Sequence, residues 1–264
     1  MIKLIVSDLD GTLLTSKKQL PQEIFPLVEA LNARGIVFAP ASGRQKANLE
    51  LLFAPVKDKI ALIAENGALA SYRGEMLHCM PLPDTDVAKA LAVLRAHSDL
   101  TPILCGERTA FYESEREPFH KLATNAYTSS ERVARLEDAI GREPILKISV
   151  HDERGAAENG MKRLPALLPA FRTMISGFDW LDISLKGVNK GAALRALKKR
   201  LGVKKEEIVA FGDHMNDWEL LEEAGHPFVP ANAYPALKEK YPAIASNDEG
   251  GVIETIKTLL GETL

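Results

Sequence analysis

The sequence predicts an α/β protein: a doubly wound parallel-sheet core built from both ends of the chain, with an α+β module inserted in the middle. Three observations predict it. Apolar runs that stop abruptly at polar residues alternate with segments of helical spacing near the N-terminus, and the same rhythm returns at Lys190. Continuous apolar strands of this kind belong to parallel sheets covered on both faces. In between, short strands mix irregularly with helices, as in a separate α+β unit. A chain of 264 residues has room for one large domain or two modest ones.

The elements follow in order. Ile2–Ser7 reads as a buried strand. Pro21 suits a first helical turn, and Ile24, Leu27, Val28 and Leu31 keep helical spacing up to Gly35. Ile36–Ala41 is the next strand, closed by Ser42-Gly43-Arg44. Helical character over Lys46–Phe53 precedes the strand Ile60–Ala64, which ends in Glu65-Asn66-Gly67, and a hairpin is expected around Arg73-Gly74. Pro81 and Pro83 favour an extended linker. Val87, Leu91 and Leu94 then mark a helix. Short strands are expected at Thr101–Cys105, Thr109–Tyr112, Ile145–Val150, Phe171–Ile175 and Trp180–Ser184, with helical stretches near Pro118–Ala126 and Glu158–Leu168. From Lys190 a helix runs to Leu201, with Asn189 as N-cap and Gly202 as its stop. Ile208–Phe211 is a strand, followed by Gly212-Asp213-His214-Met215-Asn216-Asp217 and a helix to Gly225. Two more strand–helix units reach Leu264. The core is therefore expected at residues 1–81 and 184–264, and the insert at 82–183.

Composition narrows the function. The chain is 46% apolar and 26% charged, as in soluble globular proteins. A net charge of −3 gives no electrostatic case for nucleic acid or an anionic membrane. Cys79 and Cys105 lack metal-ligand spacing and make no disulfide framework. No apolar run approaches a membrane span, and Leu4-Ile5-Val6 meets Ser7-Asp8 too early for a signal peptide. A cytoplasmic protein is expected; its oligomeric state is not legible.

The chemistry concentrates at strand ends. Asp8 and Asp10 leave the first strand one residue apart, followed by Gly11 and Thr12. Residues two apart on a strand point the same way, toward the crevice where α/β sheets place ligands. Two carboxylates that close repel unless a proton or cation lies between them, and an all-oxygen set suits a hard cation such as Mg²⁺. Taken alone, Asp-Gly could be an ordinary turn, Ser42 a helix cap, and Lys190 a surface lysine. A lysine opening a helix is, however, unfavourable with the helix dipole. Acidic residues such as Asp213 and Asp217 also favour helix starts for ordinary reasons.

Together the four segments Asp8–Thr12, Ser42-Gly43-Arg44, Lys190 and Gly212–Asp217 resemble, in order and type, the four motifs of the haloacid dehalogenase superfamily of phosphotransferases. The insert lies between the second and third motifs. With Glu65-Asn66-Gly67-Ala68 and Gly212-Asp213-x-x-Asn216-Asp217, that placement is similar to the Cof-type subfamily, whose large α/β cap sits there. The resemblance covers nearly the whole core and is weak inside the cap.

The resemblance implies a doubly wound Rossmann-like core, an α+β cap, and a Mg²⁺-dependent phosphatase of small phosphorylated metabolites such as sugar phosphates. It implies that Asp8 attacks phosphorus to form an aspartyl-phosphate, and that Asp10 protonates the leaving alkoxide and later deprotonates water. Asp8, the Asp10 carbonyl and Asp213 would ligate the metal. Ser42, Gly43, Lys190 and Asn216 would hold the phosphate, where many relatives have threonine in place of Ser42. Thr12, Arg44, Asn66 and Asp217 stand beside these with supporting or open roles: Asp217 would orient metal waters or Lys190, and Arg44 would bind substrate or pair with a core carboxylate. His214 is expected to be no ligand, and Trp180 and Trp218 to be packing residues. The cap would close over the site and select the substrate. Two other readings stay open: a phosphosugar mutase using cap residues such as Arg108, Arg116, Lys121 and Arg132, and a non-enzymatic receiver-type phosphate-sensing module.

Overall fold

The computed structural model describes residues 1–114 and 117–261; Arg116 lies outside them. In chain order the elements are β1 (Leu4–Asp8), α1 (Ile24–Ala33), β2 (Val37–Ala41), α2 (Lys46–Leu52), β3 (Ala61–Ala64), β4 (Leu69–Tyr72) and β5 (Glu75–Cys79). There follow α3 (Asp84–Arg95), β6 (Leu100–Gly106), β7 (Ala110–Tyr112), α4 (Glu117–Ala126), β8 (Ser130–Arg132), β9 (Ile145–Asp152), α5 (Gly160–Leu167), β10 (Phe171–Ile175) and β11 (Trp180–Leu185). The chain ends with α6 (Lys190–Leu201), β12 (Ile208–Phe211), α7 (Trp218–Glu222), β13 (His226–Pro230), α8 (Pro235–Lys240), β14 (Ala243–Ile244) and α9 (Gly251–Leu259). Among the described residues no helix is long and apolar enough to cross a membrane.

The chain divides into two compact units: 1–44, 49–78 and 189–264 form the first, and 45–48 with 79–188 the second. The main crossings between them fall after residues 78 and 188. The allocation of Gln45–Asn48 to the second unit has no counterpart in the sequence pattern. Within that unit Gln45 bonds the Arg108 and Ser129 carbonyls, and Asn48 bonds the backbone of Ala126 and Thr128.

The first unit is an eight-stranded sheet in the order β14-β13-β12-β1-β2-β3-β4-β5. Its pairs from β14 to β3 are parallel, and β4 joins β3 antiparallel. β1 sits between β2 and β12, so the winding reverses there and the carboxyl ends of these strands open a crevice. The register pairs Asp8 with Ala41, so β1 runs one residue beyond the expected strand and includes the first carboxylate. On one face α6 buries Ala193, Leu194 and Leu197 against Leu4, Val6, Ala39 and Ile208. Each leucine buried this way stabilises by about 1.5–3 kcal/mol. The hairpin expected at Arg73-Gly74 joins β4 to β5, and both turn residues have positive φ, 50° and 79°.

The second unit is a six-stranded sheet in the order β10-β11-β9-β6-β7-β8. Alternation along β6 sends Leu100 and Leu104 into one apolar cluster, with Val87 and Leu91 of α3 and Leu164 of α5. Ile103 and Cys105 enter another, with Phe119 and Ala123 of α4. The edge strand β8 has no counterpart in the sequence pattern, because Ser-Glu-Arg carries no apolar alternation. The helix expected after Asp217 is α7, which starts at Trp218 behind a 3₁₀ turn over Met215–Asp217 and ends at Glu222, short of Gly225. Cys79 and Cys105 form no disulfide. Trp218 packs edge-on to Tyr241, and Trp180 against the aromatic cluster of Phe119 and His151.

Candidate active site

Two strand ends and one helix start of the first unit bring their polar residues to one place. β1 delivers Asp8, the loop after β12 delivers Asp213 and Asp217, and α6 opens with Lys190. One carboxylate oxygen from each of Asp8, Asp213 and Asp217 lies within 4.8 Å of the others. Lys190, 1% exposed, donates to Asp8 Oδ1 and, at 2.6 Å, to Asp217 Oδ1. Burial alone would push this lysine toward neutrality, but the two carboxylates outweigh it and hold its pKa above the ordinary value. Burial, then repulsion by Asp217, pushes Asp8 well above the ordinary carboxylate range against the pull of Lys190. Asp213 is raised for the same two reasons. Asp8 and Asp213, which burial and repulsion keep from ionising, fit a hard divalent cation, which supplies the missing positive charge through oxygen ligands.

The supporting contacts explain the motif residues. Thr12 Oγ1 donates to Asp213 Oδ1 at 3.0 Å. Asp217 Oδ2 accepts from the backbone N–H groups of Asp213 at 3.0 Å and His214 at 3.3 Å. Asp217 therefore both orients Lys190 and fixes the loop that carries Asp213. Gly11 has φ +84°, and a Cβ there would lie 2.4 Å from Asp213 Oδ2. Asn216 lies half-buried on the 3₁₀ turn. His214 is exposed and packs edge-on to Tyr234, with ring centres 5.5 Å apart, outside the acidic group.

Arg44 takes one of its two expected roles. Its Nε and Nη2 donate to the two oxygens of Asp10 at 3.0 and 2.9 Å, and Lys18 Nζ adds a bond to Oδ1 at 2.9 Å. Burial works to raise the Asp10 pKa, but the bonds from Arg44 and Lys18 prevail and lower it. Ser42 Oγ accepts from the Arg44 N–H at 3.2 Å. A Cβ on Gly43 would meet the Asn66 side-chain amide at 2.9–3.0 Å.

The Glu65-Asn66-Gly67 turn braces this arrangement. Glu65 N–H bonds the Arg44 carbonyl and Asn66 N–H the Ser42 carbonyl. All three residues have positive φ, 51°, 54° and 94°, a conformation that costs about 1–2 kcal/mol for each non-glycine. Gly67 lies against α6, where a Cβ would come within 2.2 Å of the Asn189 carbonyl oxygen.

Four contributors carried no signal in the sequence pattern. Besides Lys18, Asn232 Nδ2 bonds the Gly11 carbonyl at 2.8 Å and Asn247 Nδ2 the Leu14 carbonyl at 2.9 Å. Asp248 accepts from the Ser16 N–H at 2.8 Å. These tethers from distant loops pin the segment after β1, and only the fold brings them there.

Comparison with known proteins agrees with this geometry. The chain matches a family described as haloacid dehalogenase-like hydrolase over residues 5–256. It is 30% identical to the 5-amino-6-(5-phospho-D-ribitylamino)uracil phosphatase of Escherichia coli, covering 98% of this chain and 96% of that one. It is also 30% identical to the HMP-PP phosphatase of Serratia proteamaculans, covering 92% and 89%. A solved protein from Streptococcus mutans superposes with a TM-score of 0.86 at 26% identity, over 99% of this chain and 100% of that one.

Proposed function

The chain belongs to the haloacid dehalogenase-like hydrolases and is a phosphatase of that family; on that premise we propose that it hydrolyses small phosphorylated metabolites through an aspartyl-phosphate on Asp8. The observation that carries the reading is the buried lysine shared between Asp8 and Asp217, with Asp213 beside them. Lys190 remains protonated there. Its charge offsets the repulsion between a carboxylate nucleophile and a phosphate dianion.

Asp8 attacks phosphorus as the ester oxygen departs, taking a proton from Asp10. Asp10, now ionised, removes a proton from water, which attacks the aspartyl-phosphate and releases inorganic phosphate. The clamp of Arg44 and Lys18 favours the ionised Asp10 of the second half; an arriving phosphate dianion pushes the other way and favours the protonated acid of the first. Ser42, the Gly43 amide and Asn216 are the proposed phosphate contacts. Mg²⁺, held by Asp8, the Asp10 carbonyl and Asp213, would neutralise part of the phosphate charge. Asp217 keeps Lys190 aligned.

The two relatives act, by their names, on a phosphoribitylamino-uracil and on HMP-PP, which supports a small metabolite as substrate here. We assign its selection to the inserted unit. A panel of phosphorylated metabolites assayed with Mg²⁺ and with chelator tests the reading. Turnover should require the metal and release free phosphate, and Asp8→Asn should lower it by more than about 10³-fold. Retention of a tenth of the activity, a loss of only about 1.4 kcal/mol, would exclude Asp8 as nucleophile. Phosphate transfer to a second hydroxyl would favour a mutase, and stable self-phosphorylation without turnover a receiver-type module.

A further inference from the structure

Lys18 places a charge where the fold does not need one. Its side chain is 64% exposed, and its ammonium lies 2.9 Å from Asp10 Oδ1. Arg44 already binds both oxygens of that carboxylate, so Asp10 is held without it. One bond from so exposed a lysine adds little to stability, and the freedom of its long stem opposes the bond. The backbone nevertheless holds Lys18 in place. Its φ is +60°, in the left-handed region that a lysine keeps only where the surrounding structure imposes it. Three bonds close the turn that imposes it. Lys18 N–H donates to the Thr15 carbonyl at 2.8 Å, Thr15 N–H to the Gln19 carbonyl at 3.0 Å, and Gln19 N–H to Thr15 Oγ1 at 3.2 Å. Strained residues of this kind gather at functional sites.

The charge stands on the leaving-group side of the reaction. To act as the acid, Asp10 must come within hydrogen-bond reach of the departing ester oxygen. Lys18 Nζ, bonded to the same carboxylate, then lies within about 6–8 Å of that oxygen, the reach of a substituent one to three bonds further along the leaving group. Two cations face one carboxylate there, so one positive charge is in excess. Both Asp10 oxygens are also engaged: Oδ1 accepts from Lys18 and Arg44, and Oδ2 from Arg44. One oxygen must be released before Asp10 can address the ester. Arg44 grips by two parallel bonds, the stronger arrangement. Lys18 grips by one, on a flexible four-carbon stem that can turn away.

We propose that Lys18 determines substrate choice by binding a second anionic group, a carboxylate or a phosphate, on the leaving group. This rests on Asp10 being the acid of a phosphatase. The anion takes the ammonium from Asp10 Oδ1 and leaves that oxygen to the ester. The charge of the leaving group is therefore both what is recognised and what frees the acid. A neutral polyol of the same size offers Lys18 only uncharged hydroxyls, and bonds of an ammonium to those are the weaker kind. The favoured substrates are phosphate esters or diphosphates whose departing half is itself negatively charged.

3-Phosphoglycerate and glycerol 3-phosphate differ at one carbon, carboxylate against hydroxymethyl, and pyrophosphate supplies the phosphate case. At fixed free Mg²⁺, each is measured by phosphate release and by competition with p-nitrophenyl phosphate, so a slowly hydrolysed compound still reports its binding. The parent should favour 3-phosphoglycerate over glycerol 3-phosphate by at least about tenfold in kcat/KM. Lys18→Met keeps the stem and removes the charge. It should lower the rate on glycerol 3-phosphate through Asp10, lower that on the anionic substrates at least about tenfold further, and so erase the preference. Lys18→Arg should restore it. Lys17→Met removes the same charge from the neighbouring side chain and should leave the preference intact. A further loss on 3-phosphoglycerate alone identifies the second anion as a carboxylate, and on pyrophosphate alone as a phosphate. A parent that does not distinguish the matched pair, and whose use of pyrophosphate Lys18→Met leaves untouched, overturns the proposal. So does Lys18→Met lowering all three substrates equally, which would make Lys18 a positioning residue for Asp10, or Lys17→Met erasing the preference as fully. A parent that hydrolyses no phosphate compound fails the phosphatase reading itself, and this proposal with it.

Discussion

At the scale of single residues, Asp8 answers two opposed demands. The reaction needs its carboxylate, yet burial and the neighbouring Asp217 hold its pKa well above the usual range. A carboxyl whose folded pKa is raised favours folding only while protonated. Its contribution is therefore lost as pH rises from the unfolded value through the raised folded one, and at neutral pH the penalty is in place. Asp8→Asn removes the penalty: the metal-free variant should unfold at higher urea than the metal-free parent at pH 7–8, with the same m-value, and the gap should close toward pH 4. A variant less stable at neutral pH would contradict the electrostatic account. Arg44 offers a second test. It lowers the Asp10 pKa, so Arg44→Met should raise it and move the alkaline limb of the kcat/KM profile to higher pH. An unmoved limb would show that Asp10 is not the acid. The proximity of Asp8 and Asp10 was legible because residues two apart at a strand end point the same way, whereas Asp213 and Lys190 were implied only by the motif resemblance. The choice of Arg44 between carboxylate and substrate was not legible, because it depends on where Asp10 lies across the crevice.

At the scale of elements, α6 matches its expected bounds, Lys190–Leu201. Asn189 caps it by accepting from the Ala192 N–H, and Gly202 ends it at φ 64°. Capping is local chemistry, so sequence carries it. The way α6 presents Lys190 is not local, since Gly67 lets the helix start approach the strained turn after β3. Gly67→Ala should therefore destabilise by roughly 2–4 kcal/mol and depress turnover by displacing Lys190. Gly74 is the control: its φ is +79°, but a Cβ there meets nothing within 4 Å. Gly74→Ala should cost about 1 kcal/mol and leave turnover intact. Equal losses in urea unfolding and in rate would show that backbone conformation, not close approach, is what Gly67 supplies. β8 stayed hidden because its three residues carry no apolar period.

At the scale of the whole molecule, each compact unit carries one of the two tryptophans, Trp218 in the first and Trp180 in the second. Fluorescence of Trp180→Phe and Trp218→Phe variants thus reports the units separately. If the acidic group of the first unit holds Mg²⁺, saturating metal should stabilise that unit by about 2.7 kcal/mol at a hundredfold excess over Kd, or roughly 5–10 °C. The shift should appear in the Trp218 signal, and be absent from the Trp180 signal if the units melt separately. Asp213→Asn should abolish it. A shift confined to the Trp180 signal would place the cation in the second unit.

The sequence by itself determined the α/β rhythm, the caps of α6 and the strand-end pair Asp8 and Asp10. Each of these rests on interactions between residues near in sequence: period, cap, turn and strand termination. Only the tertiary structure decided that Arg44 and Lys18 clamp Asp10, that Thr12 holds Asp213, and that Asn232, Asn247 and Asp248 pin the loop after β1. These partners are separated along the chain, and a hydrogen bond forms only where the sheet order brings donor and acceptor within about 3 Å of each other.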